Sequence, residues 1–546
     1  MEGETVDVLL TDADIVSMAA GAEPARSMLI RDERIAAVGP AERVRAAARP
    51  GALVVPLEGA AIIPGLIDAH CHLCDVGYLA SGADCSQPAA ADIPAIIGRL
   101  RAAAAGTPEG SWVTGSGYVE YKLREGRHPT RADLDAAVPG RPAILFHTSL
   151  HACVLNTPAL REAGLDDRQP DPPGGRFGRD REGRLDGVVY EGPTFTLLWG
   201  GLRRDMERMS AAGRAGLVAR AARHFATRGV TAACDADTRR ASLTAYAAAD
   251  EQGVLGVRIA GLVVHDEADW LLGSGLRGRR SSRLAAESVK IWADGGMSSR
   301  TAAIHGSYPV PPYGSGIMYF SPDELTAMVR EFDVRGLQVC VHAQGDRAIE
   351  AVLDTYSTVL SSRPGNPLRH RIEHGGSLFA PLAARAAALG IVVAAQPGML
   401  SVLGDGFAEA LPERCDELFA YASWRRAGVR VAGSSDAPVI TADPLVGIRD
   451  AVLRRTASGR ILGAGEQLAV RDALALYTTE AAFAMHRERD LGSLEPGKLA
   501  DFVIVDRSPL AVEPAQIADI RVLETVVGGQ SAFHADDSPL HLDSGC

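Results

Sequence analysis

Short runs of apolar residues recur through the middle of the chain, and most of them end in a polar side chain. Eight runs are interpreted as buried strands: 61–72, 229–237, 256–266, 287–296, 337–346, 369–376, 390–397 and 428–436. Helix-like segments lie between several of them, at 210–229, 321–336 and 379–390. Continuous apolar strands that alternate with helices predict a parallel sheet covered by helices. Eight such units predict a (β/α)8 barrel of the α/β class.

Both ends of the chain have a different texture, with short strand-like pieces separated by turns. They occupy residues 1–60 and recur at 500–506 and 522–533. Because chain termini often lie close together in space, the two ends are expected to fold as one unit. We therefore predict a composite β-sandwich domain from residues 1–60 and 488–546, and a hydrolase-type barrel from 61–487.

Residues 80–225 do not follow the rhythm of the barrel. They contain one strand-like run at 141–149, several helical stretches and a segment at 171–187 that is rich in glycine, proline and charge. This region is predicted to be an insertion after the first barrel strand that folds over the barrel mouth.

Composition narrows the possible partners and compartments. Of 546 residues, 47% are hydrophobic and 23% are charged, and the formal net charge is −12. An acidic balance does not favour nucleic acid or an anionic membrane surface as a partner. No signal peptide and no apolar stretch long enough to span a bilayer is recognised, so a cytoplasmic protein with eight reduced cysteines is expected. A homo-oligomer remains open.

Histidines stand at the ends of several predicted strands. The first strand ends in His70 and His72, which point to the same face because side chains alternate along a strand. The fifth and sixth strands present His342 and His374, and the last ends at Asp436. Catalytic groups of such barrels lie at the carboxyl ends of strands. The chain has only 14 histidines, so this placement favours a metal site over a set of structural histidines.

The number and chemistry of these side chains indicate which metal is bound. Four imidazoles and a carboxylate suit Zn²⁺, although Fe²⁺, Mn²⁺ and Co²⁺ are also compatible. Five ligands exceed one tetrahedral site, so two divalent ions are expected, with a single ion as the alternative.

Lys290, on the fourth strand, is unusual in a chain that strongly prefers arginine. Of 56 basic residues only Lys122, Lys290 and Lys498 are lysines. An ammonium group beside two cations would be strongly disfavoured. Reaction with CO2 converts a lysine into a bridging carbamate, which arginine cannot form, so a carboxylated Lys290 is predicted.

Several motifs together resemble the metal-dependent amidohydrolase superfamily. They are IIPGLIDAHCH, VKIWADGGMSSRTAAI, VHAQGDRAIEAV, RIEHGGSL, GSSDAPV and DLGSLEPGKLADFVIVD. More narrowly, they are similar to the amidohydrolase-3 branch, which includes YtcJ-like proteins and N-substituted formamide deformylase. The chain departs from the branch at Leu150, where a glycine is usual, and at Gln344, where an aliphatic residue is usual.

The resemblance implies a role for each residue of the predicted site. His70 and His72 would bind one ion, His342 and His374 the other, carboxylated Lys290 would bridge them, and Asp436 would ligate the first ion and act as general base. His151 and Asn156, in the segment HACVLN, would line the substrate pocket. We add Trp292, Met297 and Tyr308 as pocket residues, because apolar side chains near the fourth strand suit a bulky amine substituent.

The implied reaction is hydrolysis of a C–N bond other than a peptide bond. A metal-bridged hydroxide would attack an N-formyl or N-acyl amine, and Asp436 would transfer the proton. A deaminase-type aminohydrolase, a non-hydrolytic lyase or isomerase, and a non-catalytic assembly protein are the alternatives. The spacing Cys71-x-x-Cys74 also fits a redox pair, but no second cysteine pair supports that interpretation.

Overall fold

The computed structural model describes residues 7–172, 175–309, 314–362 and 365–540. The side chains at positions 195, 198, 199, 202, 203, 205 and 207 are not described. Among the described residues, no helix is both long enough and apolar enough to cross a bilayer.

Eight parallel strands form a nearly closed barrel, as the sequence predicts. In chain order they are Leu66–Cys71, Val230–Thr238, Arg258–Val264, Leu284–Trp292, Gln338–Ala343, Arg371–His374, Val392–Ala395 and Arg430–Gly433, hereafter barrel strands 1 to 8. Each pairs in parallel with the next. The segment after strand 8 returns to strand 1, where the Asp436 N–H donates to the His70 carbonyl at 2.7 Å.

Helices accompany the barrel strands, and the last of them packs against strands 1, 7 and 8. They span Ala211–Ala226, Arg240–Glu251, Ala268–Gly273, Pro322–Val334, Asp346–Leu360, Ala380–Ala388, Met399–Ala410, Tyr421–Ala427, Pro444–Leu453, Val470–Ala475 and Ala481–Ala484. The helix that begins at Pro322 has a complete capping box between Ser321 and Glu324. This arrangement satisfies main-chain N–H groups that would otherwise lack partners.

The two ends of the chain share a sheet. One five-stranded sheet contains Asp14–Ile15, Ala61–Pro64, Phe502–Val505, Val522–Val527 and Gln530–His534. A four-stranded sheet beside it contains Arg34–Gly39, Ser27–Arg31, Val8–Thr11 and Leu53–Pro56, with a helix at Ala41–Ala46. The exact limits proposed above for a terminal domain stay a prediction.

The apolar run 61–72 is two strands rather than one, which corrects the sequence interpretation. Ala61–Pro64 belongs to the terminal sheet and Leu66–Cys71 to the barrel. Gly65 separates them where the backbone passes very close to strand 2. A Cβ at this position would lie 2.2 Å from the Thr231 Oγ1 atom, so the close approach requires glycine.

The region 80–225 contains more sheet than its sequence indicates. Six strands, ordered Gly175–Arg179, Leu185–Glu191, Ala152–Leu155, Ala143–His147, Val113–Tyr118 and Ala83–Asp84, form one sheet. Helices Leu73–Leu79, Ile93–Gly106, Arg131–Ala137, Thr157–Glu162 and Gly192–Arg208 accompany it. Only the run at 141–149 is evident from the sequence. Ala83–Asp84 and Ala152–Leu155 are short, and Val113–Tyr118 and Gly175–Arg179 each contain two glycines.

A buried ion pair joins the barrel to the terminal sheet. Arg258, at the start of strand 3, donates two hydrogen bonds of 2.8 Å to the Asp501 carboxylate. The two side chains are only 2% and 3% exposed. We expect Asp501→Ala to lower the free energy of unfolding by about 3–5 kcal/mol, because it leaves a buried guanidinium uncompensated. Urea denaturation of both proteins measures the change.

The matched control is Asp537→Ala, which breaks the pair with Arg521 on the surface. Those side chains are 60% and 57% exposed, so the expected change is below about 1 kcal/mol. Equal denaturation midpoints for Asp501→Ala and the unmodified protein would contradict the expectation.

Candidate metal centre

All six predicted metal ligands meet at one cavity at the carboxyl end of the barrel. His70, Lys290 and His342 lie within strands 1, 4 and 5, and His374 is the last residue of strand 6. His72 and Asp436 lie in the segments after strands 1 and 8. The cavity is lined by His70, His72, Asp75, Ser149, Leu150, His151, Asp237, Lys290, Trp292, His342, His374, Asp436 and Val439.

The potential ligand atoms lie close together. His72 Nε2 is 3.0 Å from Asp436 Oδ1, and His70 Nε2 is 3.3 Å from the same oxygen. The ring centroids of His342 and His374 are 4.5 Å apart. One potential ligand atom each of His70, His374 and Asp436 lies within 4.8 Å of the other two, close enough for all three to bind a single ion.

Local backbone conformation directs two of these side chains into the cavity. His374 ends strand 6 with φ +71°, and Asp436 follows strand 8 with φ +59°. Residues with side chains rarely adopt this left-handed region, at a cost of about 1–3 kcal/mol each. The Asp68 carboxylate holds the segment before Asp436 in place, accepting from the Ser435 N–H at 3.0 Å and from its hydroxyl at 2.5 Å.

Glu373 anchors His70 from the far side of the ring. Its Oε2 lies 2.5 Å from His70 Nδ1, and both of its oxygens accept from Arg371 at 2.8 Å. Burial alone would raise the pKa of Glu373, but Arg371 and His70 hold it well below its ordinary value. An ionised Glu373 therefore keeps the proton of His70 on Nδ1 and leaves Nε2 available to an ion.

The other imidazoles are oriented in the same manner. His374 Nδ1 lies 2.8 Å from Gln396 Oε1, and His342 Nε2 lies 3.2 Å from the Gly295 carbonyl. Burial and the neighbouring imidazoles lower the pKa of His342 well below its ordinary value. His342 and His374 therefore each offer a second ring nitrogen to the cavity, in the neutral form that metal ligation requires.

Lys290 is buried at the centre of the cluster, with 1% exposure. Its Nζ is 3.4 Å from His70 Nε2 and 5.0 Å from the centre of the Trp292 ring. Burial lowers the pKa of the amine. Only an unprotonated amine reacts with CO2, so these surroundings suit formation of a carbamate. The donor set as a whole fits divalent metal.

Two predicted pocket residues are at the cavity and three are not. Trp292 and His151 line it. Met297 is fully buried in the core, and Tyr308 packs with Ile304 and Ala410 and donates to the Ala302 carbonyl. Neither lies in the cavity wall, because the loop after strand 4 turns these side chains into the protein. The sequence reveals the loop but not the direction of its side chains.

Asn156 is the third exception, and its side chain caps a helix. Its Oδ1 accepts from the Ala143 and Ala159 N–H groups at 2.9 and 3.0 Å, and its Nδ2 donates to the carbonyls of Val138 and Arg141. All four bonds are made to main chain inside the insertion. The segment HACVLN therefore marks Asn156 as a helix cap and not as a residue of the pocket.

We expect Asn156→Ala to lower the free energy of unfolding by about 2–4 kcal/mol, since it removes a cap and leaves buried main-chain groups unsatisfied. Metal content and the Michaelis constant of the folded fraction should not change. Ser210→Ala, which removes an exposed helix cap, is the control and should cost about 1 kcal/mol. A raised Michaelis constant with unchanged stability would instead indicate that Asn156 contacts the substrate.

The insertion supplies one wall of the cavity through Ser149, Leu150 and His151. His151 Nδ1 lies 2.8 Å from Glu191 Oε2, and the Tyr319 hydroxyl donates to the same oxygen at 2.5 Å. Glu191 is fully buried. It fixes the orientation of His151, and its remote position in the sequence gave no indication of this role.

Carboxylates near strand 2 were also missed. Asp237, one residue before the end of that strand, lies with Asp75 and His72 so that one ligand atom of each is within 4.8 Å of the others. Its place near the carboxyl end of a barrel strand could have identified Asp237 as a candidate site residue. Cys71 and Cys74 are free, buried thiols, and Cys71 donates to the Cys234 carbonyl.

Comparisons with known proteins cover almost the whole chain. A model described as "Amidohydrolase family" matches residues 53–533. N-substituted formamide deformylase of Arthrobacter pascens is 29% identical over 538 residues, which is 96% of this chain and 97% of that protein. YtcJ of Bacillus subtilis, named as an amidohydrolase, is 28% identical over 95% of this chain and 98% of its own length.

A solved structure shows the same fold. The crystal structure of an uncharacterized metal-dependent hydrolase from Pyrococcus horikoshii superimposes with a TM-score of 0.76 at 24% identity, covering 93% of this chain and 99% of that one.

Proposed function

We propose that this chain, which belongs to the amidohydrolase family, cleaves the C–N bond of an N-substituted amide. The proposed substrate is an N-formyl or N-acyl amine. The observation that carries the proposal is the convergence of four histidines, Lys290 and Asp436 on one buried cavity. The deformylase name of the Arthrobacter relative supports the choice of amide.

His70, His72 and Asp436 would hold one divalent ion, His342 and His374 the other, and the carbamate of Lys290 would bridge them. We favour Zn²⁺ because imidazole and carboxylate donors suit it. When bound, such ions supply Lewis acidity that activates water and polarises a carbonyl group.

Asp436 is suited to proton transfer. Its Oδ1 lies 3.0 Å from His72 Nε2 and 3.3 Å from His70 Nε2, where a bound divalent ion would keep the carboxylate ionised. An ionised carboxylate is the form that can accept a proton during attack on the carbonyl. It then delivers the proton to the nitrogen of the leaving amine, which must be protonated before the C–N bond breaks.

The cavity wall from the insertion would contact the amine side of the substrate. His151, held by Glu191, and Ser149 are its polar side chains and Leu150 is its apolar one, while Val439 lines the same cavity from the segment after strand 8. The acyl side would face the ligand cluster. Because the ligand residues are almost fully buried, the bound substrate is shielded from bulk water, which strengthens every electrostatic interaction with it.

The test combines metal analysis with a substrate panel. Purified protein is expected to contain close to two divalent ions per chain and to hydrolyse some members of a set of N-formyl and N-acyl amines. His342→Ala and His374→Ala should lower both metal content and turnover. Turnover of nucleobases or hydantoins alone, or elimination without uptake of water, would favour the deaminase or lyase alternatives. One ion in the fully active enzyme would overturn the two-metal arrangement.

A further inference from the structure

A second and much larger cavity lies beside the metal cavity, near the ends of barrel strands 2 and 3. Its free volume is about 720 Å³, which is in the range of sites that hold a whole small molecule. The insertion helix Gly192–Arg208 and the helix Arg240–Glu251 form two of its walls. We call this space the side chamber. Described residues that mark its walls are Asp75, Met206, Asp237, Ala241, Thr244 and Asp266.

The side chamber adjoins the metal cavity along two carboxylates. Asp75 and Asp237 line both spaces, and one oxygen of each lies within 4.8 Å of the other and of a ring nitrogen of His72. Arg239 lines the side chamber, with its Nε 3.2 Å from Asp237 Oδ1. Because the guanidinium compensates this carboxylate, a neutral chain that passes along the wall meets an ion pair and not an isolated buried charge.

The metal cavity itself is small. Its free volume is about 30 Å³, and roughly 10–15 Å³ is needed to hold one water-sized group. The metal cavity therefore has room for the reacting carbonyl group and its nearest atoms. A long substituent on either side of the amide must lie in an adjoining space.

The space along the insertion wall is smaller still. A third cavity shares Ser149, His151 and Asp436 with the metal cavity, and Phe407 of the helix Met399–Ala410 closes it. Its free volume is about 10 Å³, which holds about one water-sized group. A substituent of several carbon atoms therefore fits the side chamber and not the space along the insertion wall.

We propose that the side chamber binds the acyl substituent, so that the preferred substrates are amides of bulky acids and not formamides. This inference rests on the proposed function, in which the amine side of the amide faces the insertion wall and the acyl side faces the ligand cluster. His72 belongs to that cluster, and Asp75 and Asp237 connect it to the chamber. Met206 and Ala241 supply apolar surface on which an acyl chain can pack.

Two isomeric amides test the direction of binding. N-butyl-4-phenylbutanamide and N-(4-phenylbutyl)butanamide have the same composition and differ in which side of the amide carries the ring. Both are secondary alkanamides, so their intrinsic reactivities are similar. We expect kcat/KM for the first isomer to exceed that for the second by about tenfold or more, because only its ring is buried in the side chamber.

Ala241→Trp fills the chamber from one wall. Ala241 is half-buried and lines the chamber, so the indole takes space that the acyl chain needs. We expect the ratio of kcat/KM for N-butyl-4-phenylbutanamide to that for N-butylacetamide to fall about tenfold or more. If Ala241→Trp does not fold, Thr244→Trp repeats the test, since Thr244 is an exposed residue of the same wall.

Ala248→Trp is the matched control. Ala248 lies on the same helix and is not among the described residues that line the chamber. The same substitution there should leave the ratio within about twofold of its normal value, as for a change on the protein surface.

The outcomes separate the inference from the proposed function. Equal kcat/KM for the two isomers, or an unchanged ratio in the folded tryptophan variants, would overturn the inference while hydrolysis of small amides stands. A selective loss of N-(4-phenylbutyl)butanamide in Ala241→Trp would put the amine substituent in the chamber and would overturn it as well. If the unmodified enzyme hydrolyses no amide, N-butylformamide included, the inference and the proposed function both fail.

Discussion

Lys290→Arg and Lys290→Ala are both expected to lose most bound metal and at least about 99% of turnover, because losing a bridging ligand should cost no less than the roughly 10–100-fold that follows the loss of a ligand's hydrogen-bond partner. The lysine lies among imidazoles that would hold cations, with its Nζ 3.4 Å from His70 Nε2. Arginine keeps the positive charge but cannot react with CO2, and alanine leaves the bridging position empty. Metal content by elemental analysis and turnover of the preferred amide measure the two effects separately.

Chemical rescue distinguishes a missing bridge from a damaged fold. A short carboxylic acid such as propionate should restore part of the turnover of Lys290→Ala, because its carboxylate can fill the vacated position. Lys122→Arg is the control, since Lys122 donates to the Val402 carbonyl outside the metal cavity. A Lys290→Arg enzyme of normal activity, or an unmodified amine in the intact mass of the metal-loaded enzyme, would contradict the prediction.

The positions of the candidate ligands could be predicted from the sequence because of where they stand in local structure. His70, His342 and His374 each occur at or near the end of a short apolar strand, so identifying the strands also identifies these candidates. The barrel followed from the same pattern, since a parallel strand covered on both faces is apolar throughout. These are properties of single segments, and a single sequence displays them directly.

The partners of the ligands depend on contacts between distant segments. Glu373 meets His70 across 303 positions of sequence, and Gln396 meets His374 from the neighbouring strand. Nothing in the local pattern distinguishes Glu373 from a surface carboxylate. The same limitation applies to Met297 and Tyr308, whose loop was placed correctly although the direction of their side chains was not.

Leu150 shows how a departure from a family pattern acquires physical meaning in the structure. The resemblance implies glycine at this position, and the backbone there has φ +59°, a conformation that glycine adopts at little cost. Leucine adds a side chain that lines the cavity. The leucine therefore makes the backbone conformation less favourable than glycine would, and it adds an apolar side chain to the cavity wall next to Ser149.

Asp436→Asn is expected to lower turnover by about 10³-fold or more, because one general base alone contributes about 10²–10⁴-fold and, in the proposed site, the same side chain would also be a metal ligand. The carboxylate lies 3.0 Å from His72 Nε2 and 3.3 Å from His70 Nε2. An asparagine keeps the shape, but its amide nitrogen cannot accept the proton. Single-turnover rates at matched metal occupancy separate loss of the base from loss of a ligand.

Asp443→Asn provides the comparison within the same loop. Asp443 caps the helix Pro444–Leu453 through the Leu445 N–H, and asparagine caps a helix as well as aspartate does. Removing a carboxylate charge seven residues from Asp436, outside the cavity, should therefore change turnover by less than about twofold. If Asp436→Asn keeps more than about a tenth of the normal rate, the loss is smaller than a general base contributes. Another group of the cavity wall would then have to transfer the proton.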